Sequence, residues 1–192
     1  GGSIEDQQES FSDMGTLLIL ILMLVYIVMA AQFESLRYPF IIMFSIPFAF
    51  VGLILSLFLT GISINLMSLI GGVMLVGIVV KNGIVLVDYI NLNRERGMGI
   101  SQAVILGGKS RLRPVLMTSL TTILGMVPMS LGIGEGSELW QPMGVAIVGG
   151  LTVSTLVTLV IIPVIYTVFA SREVTSYRKK QAFKFNRRTI KA

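Results

Sequence analysis

The chain has 192 residues, 54% hydrophobic and 13% charged, with a net charge of +5. Soluble domains carry about 25% charged residues, so this composition excludes an ordinary soluble domain and indicates an integral membrane protein. With no cysteine and no histidine, disulfides, thiolate metal sites and imidazole proton carriers are also excluded, which leaves carboxylates, lysine and water for any proton chemistry.

Residues 1–13 are an acidic head containing Glu5, Asp6, Glu9 and Asp13, which reads as the end of a region outside the membrane. An acidic head is the opposite of the basic leader of a signal peptide. The chain begins Gly-Gly, and its first methionine is Met14, so it reads as a piece of a longer polypeptide. Five apolar segments follow, at 14–32, 38–60, 66–90, 115–133 and 143–170. Each is predicted to be a transmembrane helix, because backbone exposed to lipid must satisfy its own hydrogen bonds. The fold class is therefore all-α integral membrane, with five spans.

Pro47, Pro128 and Pro163 fall inside these spans and are expected to kink them. Gly71, Gly72 and Gly77 in the third span, and Gly144, Gly149 and Gly150 in the fifth, leave room for close helix approach. In the connection 91–114, Ser101 is placed to cap a short helix through Ile105 that ends at Gly107-Gly108. Residues 171–192 form a basic tail, most simply an anchor beside anionic headgroups; nothing else in the chain supports binding to nucleic acid.

The connections alternate in charge. Arg37 lies between the first two spans, Arg94, Arg96, Lys109, Arg111 and Arg113 lie between the third and fourth, and the remaining basic residues outside the spans follow the fifth. On the opposite side, 61–65 is uncharged and Glu135 and Glu138 are acidic. The positive-inside rule places the N-terminus outside and the C-terminus in the cytoplasm.

Within the third span, Lys81 lies about three residues past the midpoint, roughly 10 Å from the nearer boundary. Its stem covers only part of that distance, and an ammonium at such depth costs about 3 kcal/mol on insertion scales. Two readings stand: polar glue between helices, or an ion or proton site. Gly77, Lys81 and Asp88 share one helix face. Lys81 and Asp88 are roughly 10.5 Å apart along the axis, too far for a direct ion pair but within reach of a water chain. Asp88 could instead pair with the basic connection that follows.

In the fourth segment Arg111, Thr118 and Thr122 line up, with Ser119 and Thr121 off that stripe. Hydroxyls in membranes commonly bond their own helix, so this alignment alone shows little. Apart from Asp88, no span carries an Asp or Glu. A buried ammonium requires an acid, so Lys81 is expected to be completed by carboxylates from another segment or chain.

Three motifs, Val25-Tyr-Ile-Val-Met-Ala-Ala-Gln-Phe-Glu-Ser-Leu36, Val80-Lys-Asn-Gly-Ile-Val-Leu-Val-Asp88 and Arg111-Leu-Arg-Pro-Val-Leu-Met-Thr-Ser-Leu120, resemble resistance-nodulation-division (RND) efflux transporters. The resemblance covers roughly residues 1–170 and is strongest to the inner-membrane pumps of the hydrophobe and amphiphile multidrug branch, rather than to the heavy-metal branch. It implies the last five helices of a twelve-helix transporter in the bacterial inner membrane. It also implies a proton relay in which Lys81 meets an aspartate pair from the first half, with Asn82, Asp88, Arg111 and Thr118 as further members. The coupling ion is the proton, with no cofactor. The implied partners are the N-terminal half carrying the aspartates, two further copies in a homotrimer, a periplasmic adaptor, an outer-membrane channel and the lipid bilayer. The sequence contains no adjacent Asp-Asp and no large periplasmic domain, so the resemblance assigns it one side of the relay.

A second function class is a stand-alone five-helix assembly or regulatory protein that docks onto another transporter subunit. A membrane enzyme is disfavoured, because no nucleophile has a positioned base in a chain without His or Cys.

Overall fold

The computed structural model describes residues 2–189 in backbone and, Ser3 apart, residues 2–171 in side chain. The basic side chains of the tail lie outside that set. The described residues form α1 (Gly2–Phe33), α2 (Arg37–Met43), α3 (Ile46–Thr60), α4 (Leu66–Glu95), α5 (Ile100–Ser130) and α6 (Ser137–Thr189), with no strand. Five helical stretches are long and apolar enough to cross a membrane, α2 and α3 together making the second.

Local chemistry sets most of the helix ends. α1 starts at Gly2 and takes in the acidic head, where Glu5 in the first turn is favoured by the helix dipole. The kink expected at Pro47 appears as a break at Phe44-Ser45. Pro47 is among the first two residues of α3, where its missing N–H is least costly, and the Ser45 hydroxyl donates to the Ile42 carbonyl at 2.6 Å. α3 ends on Gly61 in the left-handed region, at φ 69°. α4 opens with a reciprocal cap: the Ser68 amide donates to Asn65 Oδ1 and the Asn65 amide donates to Ser68 Oγ, both at 2.9 Å.

One expectation is corrected. No short helix ends at Gly107-Gly108; α5 runs unbroken from Ile100 to Ser130, and its N-cap is Gly99 instead of Ser101. Gly107 is there for packing, since a Cβ on it would collide with the Ile90 side chain across the α4–α5 contact.

Only 6% of the apolar span of α1 and 11% of that of α5 is buried, against 56% for α4 and 50% for α6. The interior therefore lies among α3, α4 and α6, with α1 and α5 on the outside. Glycines set the closest crossings, as expected for Gly71, Gly72, Gly144, Gly149 and Gly150. A Cβ on Gly149 would sit 2.9 Å from the Gly52 carbonyl oxygen, and one on Gly144 would sit 2.8 Å from the Ser130 amide nitrogen. Two polar contacts, the first part-buried and the second buried, tie the same helices together. Ser56 Oγ donates to the Val145 carbonyl at 3.1 Å, and Thr155 Oγ1 donates to Ser119 Oγ at 2.9 Å. Gly77 is the exception, with open space where its side chain would be.

Candidate functional site

α4 divides into two faces. Its inward stripe runs from Gly71 and Gly72 through Leu75, Val79, Asn82, Gly83, Leu86 and Ile90 to Asn93, all buried. Its outward stripe carries Met74, Gly77, Lys81 and Asp88, all exposed. The spacing of three, four and seven places these four on one side of the helix, as the sequence implies.

Neither the Lys81 nor the Asp88 side chain forms a hydrogen bond or ion pair with another described residue. The pairing of Asp88 with the basic connection is therefore not seen, although a basic group does come close. The Arg111 guanidinium lies over the ring of Tyr89, 4.6 Å from its centroid, beside Asp88 in the chain. This cation–π contact holds Arg111 against α4 and is worth about 0.5–2 kcal/mol depending on desolvation. Tyr89 gave no signal in the sequence, because its partner is on a different helix.

The remaining relay candidates separate. Asn82 is 6% exposed and points inward, away from the Lys81 face. Thr118 is exposed, and its hydroxyl donates to the Pro114 carbonyl of its own helix at 3.0 Å; Thr122 does the same to the Thr118 carbonyl at 2.9 Å. The stripe on α5 is thus real as a surface, but its hydroxyls are engaged by their own backbone. Ser119, off that stripe, is the residue that bonds across to α6.

Two buried polar groups near the basic end lack partners among the described residues. Both side-chain polar atoms of Asn93, on a fully buried residue, make no hydrogen bond, and neither does Arg111 Nε. Leaving such atoms unpaired costs about 1–3 kcal/mol per group. Sequence reasoning missed Asn93, which reads as an ordinary polar residue past the end of an apolar run.

An outward ammonium and carboxylate on one face, an arginine at its mouth and an unfilled glycine beside the lysine make a surface suited to a partner helix with acidic groups. Such a surface could exchange charge with that helix. Among the described residues, no carboxylate pairs with the Lys81 ammonium.

A sequence profile of the AcrB/AcrD/AcrF family matches residues 1–170. The chain is 38% identical over 182 residues to the swarming motility protein SwrC of Bacillus subtilis (strain 168), covering 94% of this chain and 17% of that protein. It is 43% identical over 143 residues to the multidrug resistance protein MdtC of Erwinia tasmaniensis (strain DSM 17950 / CFBP 7177 / CIP 109463 / NCPPB 4357 / Et1/99), covering 74% and 14%. Its fold superposes on a crystal structure of a heavy metal efflux pump with a TM-score of 0.81 at 32% identity, over 89% of this chain and 17% of that one. The chain thus spans about a sixth of the length of these relatives.

Proposed function

Because the chain belongs to the AcrB/AcrD/AcrF family of RND efflux transporters, we propose that it is the C-terminal transmembrane part of a proton-driven pump and supplies the lysine side of the relay. The observation that carries this reading is the outward position of Lys81 beside the unfilled Gly77. An ammonium turned to hydrocarbon would cost about 3 kcal/mol or more, whereas one turned to carboxylates on a neighbouring helix is compensated. The absent acids therefore belong to a segment that packs on this face.

In this mechanism Lys81 pairs with a carboxylate pair while the pair is ionised. Protonation of the carboxylates weakens the attraction, and the helices carrying the two sides shift. Asp88 and Arg111 lie toward the basic mouth, where they would order water entering from the cytoplasm. Asn82 acts from inside, holding the packing behind Lys81. Thr118 lines the neighbouring helix. The proposed topology has the N-terminus in the periplasm and the C-terminus in the cytoplasm of a bacterial inner membrane. The proposed assembly is a trimer working with an adaptor and an outer-membrane channel.

For cargo we propose amphiphilic drugs, on the Lys81-Asn82-Gly83 stretch and the Val25–Leu36 motif. Metal export is the second reading, favoured by the structural likeness to a heavy metal efflux pump. A resistance profile in a pump-deficient host separates them: protection against amphiphilic drugs supports the first, and protection against divalent cations alone supports the second. The lysine role is tested in the intact pump by Lys81→Ala. Loss of export with normal membrane abundance supports it, and near-normal export excludes it.

A further inference from the structure

Asn93 and Arg111 Nε, the buried polar groups without partners among the described residues, lie on one contact, where α4 meets the first half of α5. Two neighbours fix the direction of Asn93. Ile90 meets Gly107 of α5, and Tyr89 lies under the Arg111 guanidinium of α5. At about 100° per residue, Asn93 projects between Tyr89 and Ile90, so it faces the same helix. The residues that α5 buries at this end are Ala103, Val104 and Gly107, which have no side-chain polar atom to offer. A fully buried amide set against an apolar strip disfavours this closed packing. The contact is held instead by Ile90 against Gly107 and by the ring of Tyr89.

α5 carries a bending point just beyond that contact. Pro114 lies inside the helix. It has no N–H for the Ser110 carbonyl, and its ring crowds that carbonyl, so the ladder is interrupted between 100–113 and 115–130. The second half is pinned to α6: Thr155 Oγ1 donates to Ser119 Oγ at 2.9 Å, and Gln141 Nε2 donates to the Ser130 carbonyl at 3.2 Å. α4 is tied to the same helix at its basic end, because the Tyr166 hydroxyl donates to Asn91 Oδ1. α4, α6 and the second half of α5 thus form one frame. We propose that the first half of α5 swings on Pro114 against this frame, opening the α4–α5 contact from the basic side and wetting Asn93 and Arg111 Nε. Apolar packing and the Tyr89 ring favour the closed state, and hydration of the two orphaned groups favours the open one, which makes a two-state element. Its use rests on the relay reading: opening admits water to Arg111 from one side of the membrane. The hinge itself is independent of that reading.

The test is thiol labelling of the full-length transporter in freeze–thawed membranes, with a hydrophilic maleimide and each position read by peptide mass. Asn93→Cys and Ala103→Cys, on opposite walls of the contact and both fully buried, should each be labelled. Val87→Cys, equally buried on α4 but turned toward the Asn91 side, should not. Either of the first two cysteines carries the readout if the other variant fails to fold. Pro114→Ala, which restores the ladder, should slow their labelling about fivefold, while Pro128→Ala, beyond the Ser119 pin, should change it less than about twofold. Gly107→Ala, whose Cβ would collide with Ile90, should wedge the contact open and speed labelling. Silence at both cysteines, equal labelling of Val87→Cys, or equal slowing by the two proline variants would overturn the hinge. Labelling as expected, together with normal export by Lys81→Ala, would uphold the hinge and overturn its role in the relay.

Discussion

Both faces of α4 carry glycine, yet the glycines behave oppositely. On the inward face, glycine permits contact: Gly71 meets Met143 and Ala146 of α6, and Gly83 meets Ile42 of α2. On the outward face, a Cβ on Gly77 would meet no described residue, although it stands one turn from Lys81. Small residues in membrane helices are useful only where another backbone comes near. The contrast separates an inward face that is already packed from a Lys81 face that is exposed among the described residues, which is where the proposed partner helix would sit.

The largest effect separating the faces is expected from Lys81→Ala in the intact pump. Export should fall to background while membrane abundance holds, because the side chain makes no hydrogen bond or ion pair with a described residue; an efflux assay with an immunoblot checks both. The converse is Gly149→Ala, where the added Cβ meets the Gly52 carbonyl oxygen at 2.9 Å. It should destabilise the α3–α6 crossing by about 1–3 kcal/mol, read as a lower unfolding midpoint in detergent. Arg111→Ala removes the contact over Tyr89 and should cost about 0.5–1 kcal/mol. It should also shift the pH dependence of transport, whereas Tyr89→Leu should reproduce only the stability loss. Gly77→Ala should change the stability of the isolated chain by less than about 0.5 kcal/mol, yet reduce export in the intact pump. A stability loss in the isolated chain would show that the outward face is already occupied. The smallest change is expected from Thr118→Val. Stability should be nearly unaltered, since its hydroxyl bonds only its own helix, and export should decline less than with Lys81→Ala.

Much of this contrast is readable in the sequence, for physical reasons. A lysine inside an apolar run, and basic residues confined to alternate connections, are visible without coordinates, because hydrocarbon penalises charge regardless of tertiary detail. Pro47 announced the break between α2 and α3 because its missing N–H is a local property. Gly107-Gly108 misled: a glycine pair signals equally a helix end and a close crossing, and only the presence of Ile90 decides between them. The contacts of Arg111 with Tyr89 and of Tyr166 with Arg94 and Asn91 join residues far apart in the chain, so no spacing rule exposes them. Asn82 and Lys81 are adjacent in the motif, yet the helix turns one inward and the other outward. The motif groups residues that stand on opposite sides of the same helix.

The most direct test of the central claim places a diazirine-bearing lysine analogue at position 81 of the full-length transporter, irradiates it in native membranes and maps the adducts by mass spectrometry. The account predicts adducts on an acidic helical segment outside the 192 residues described by this sequence. Adducts confined to lipid, or to residues of this chain, would contradict it.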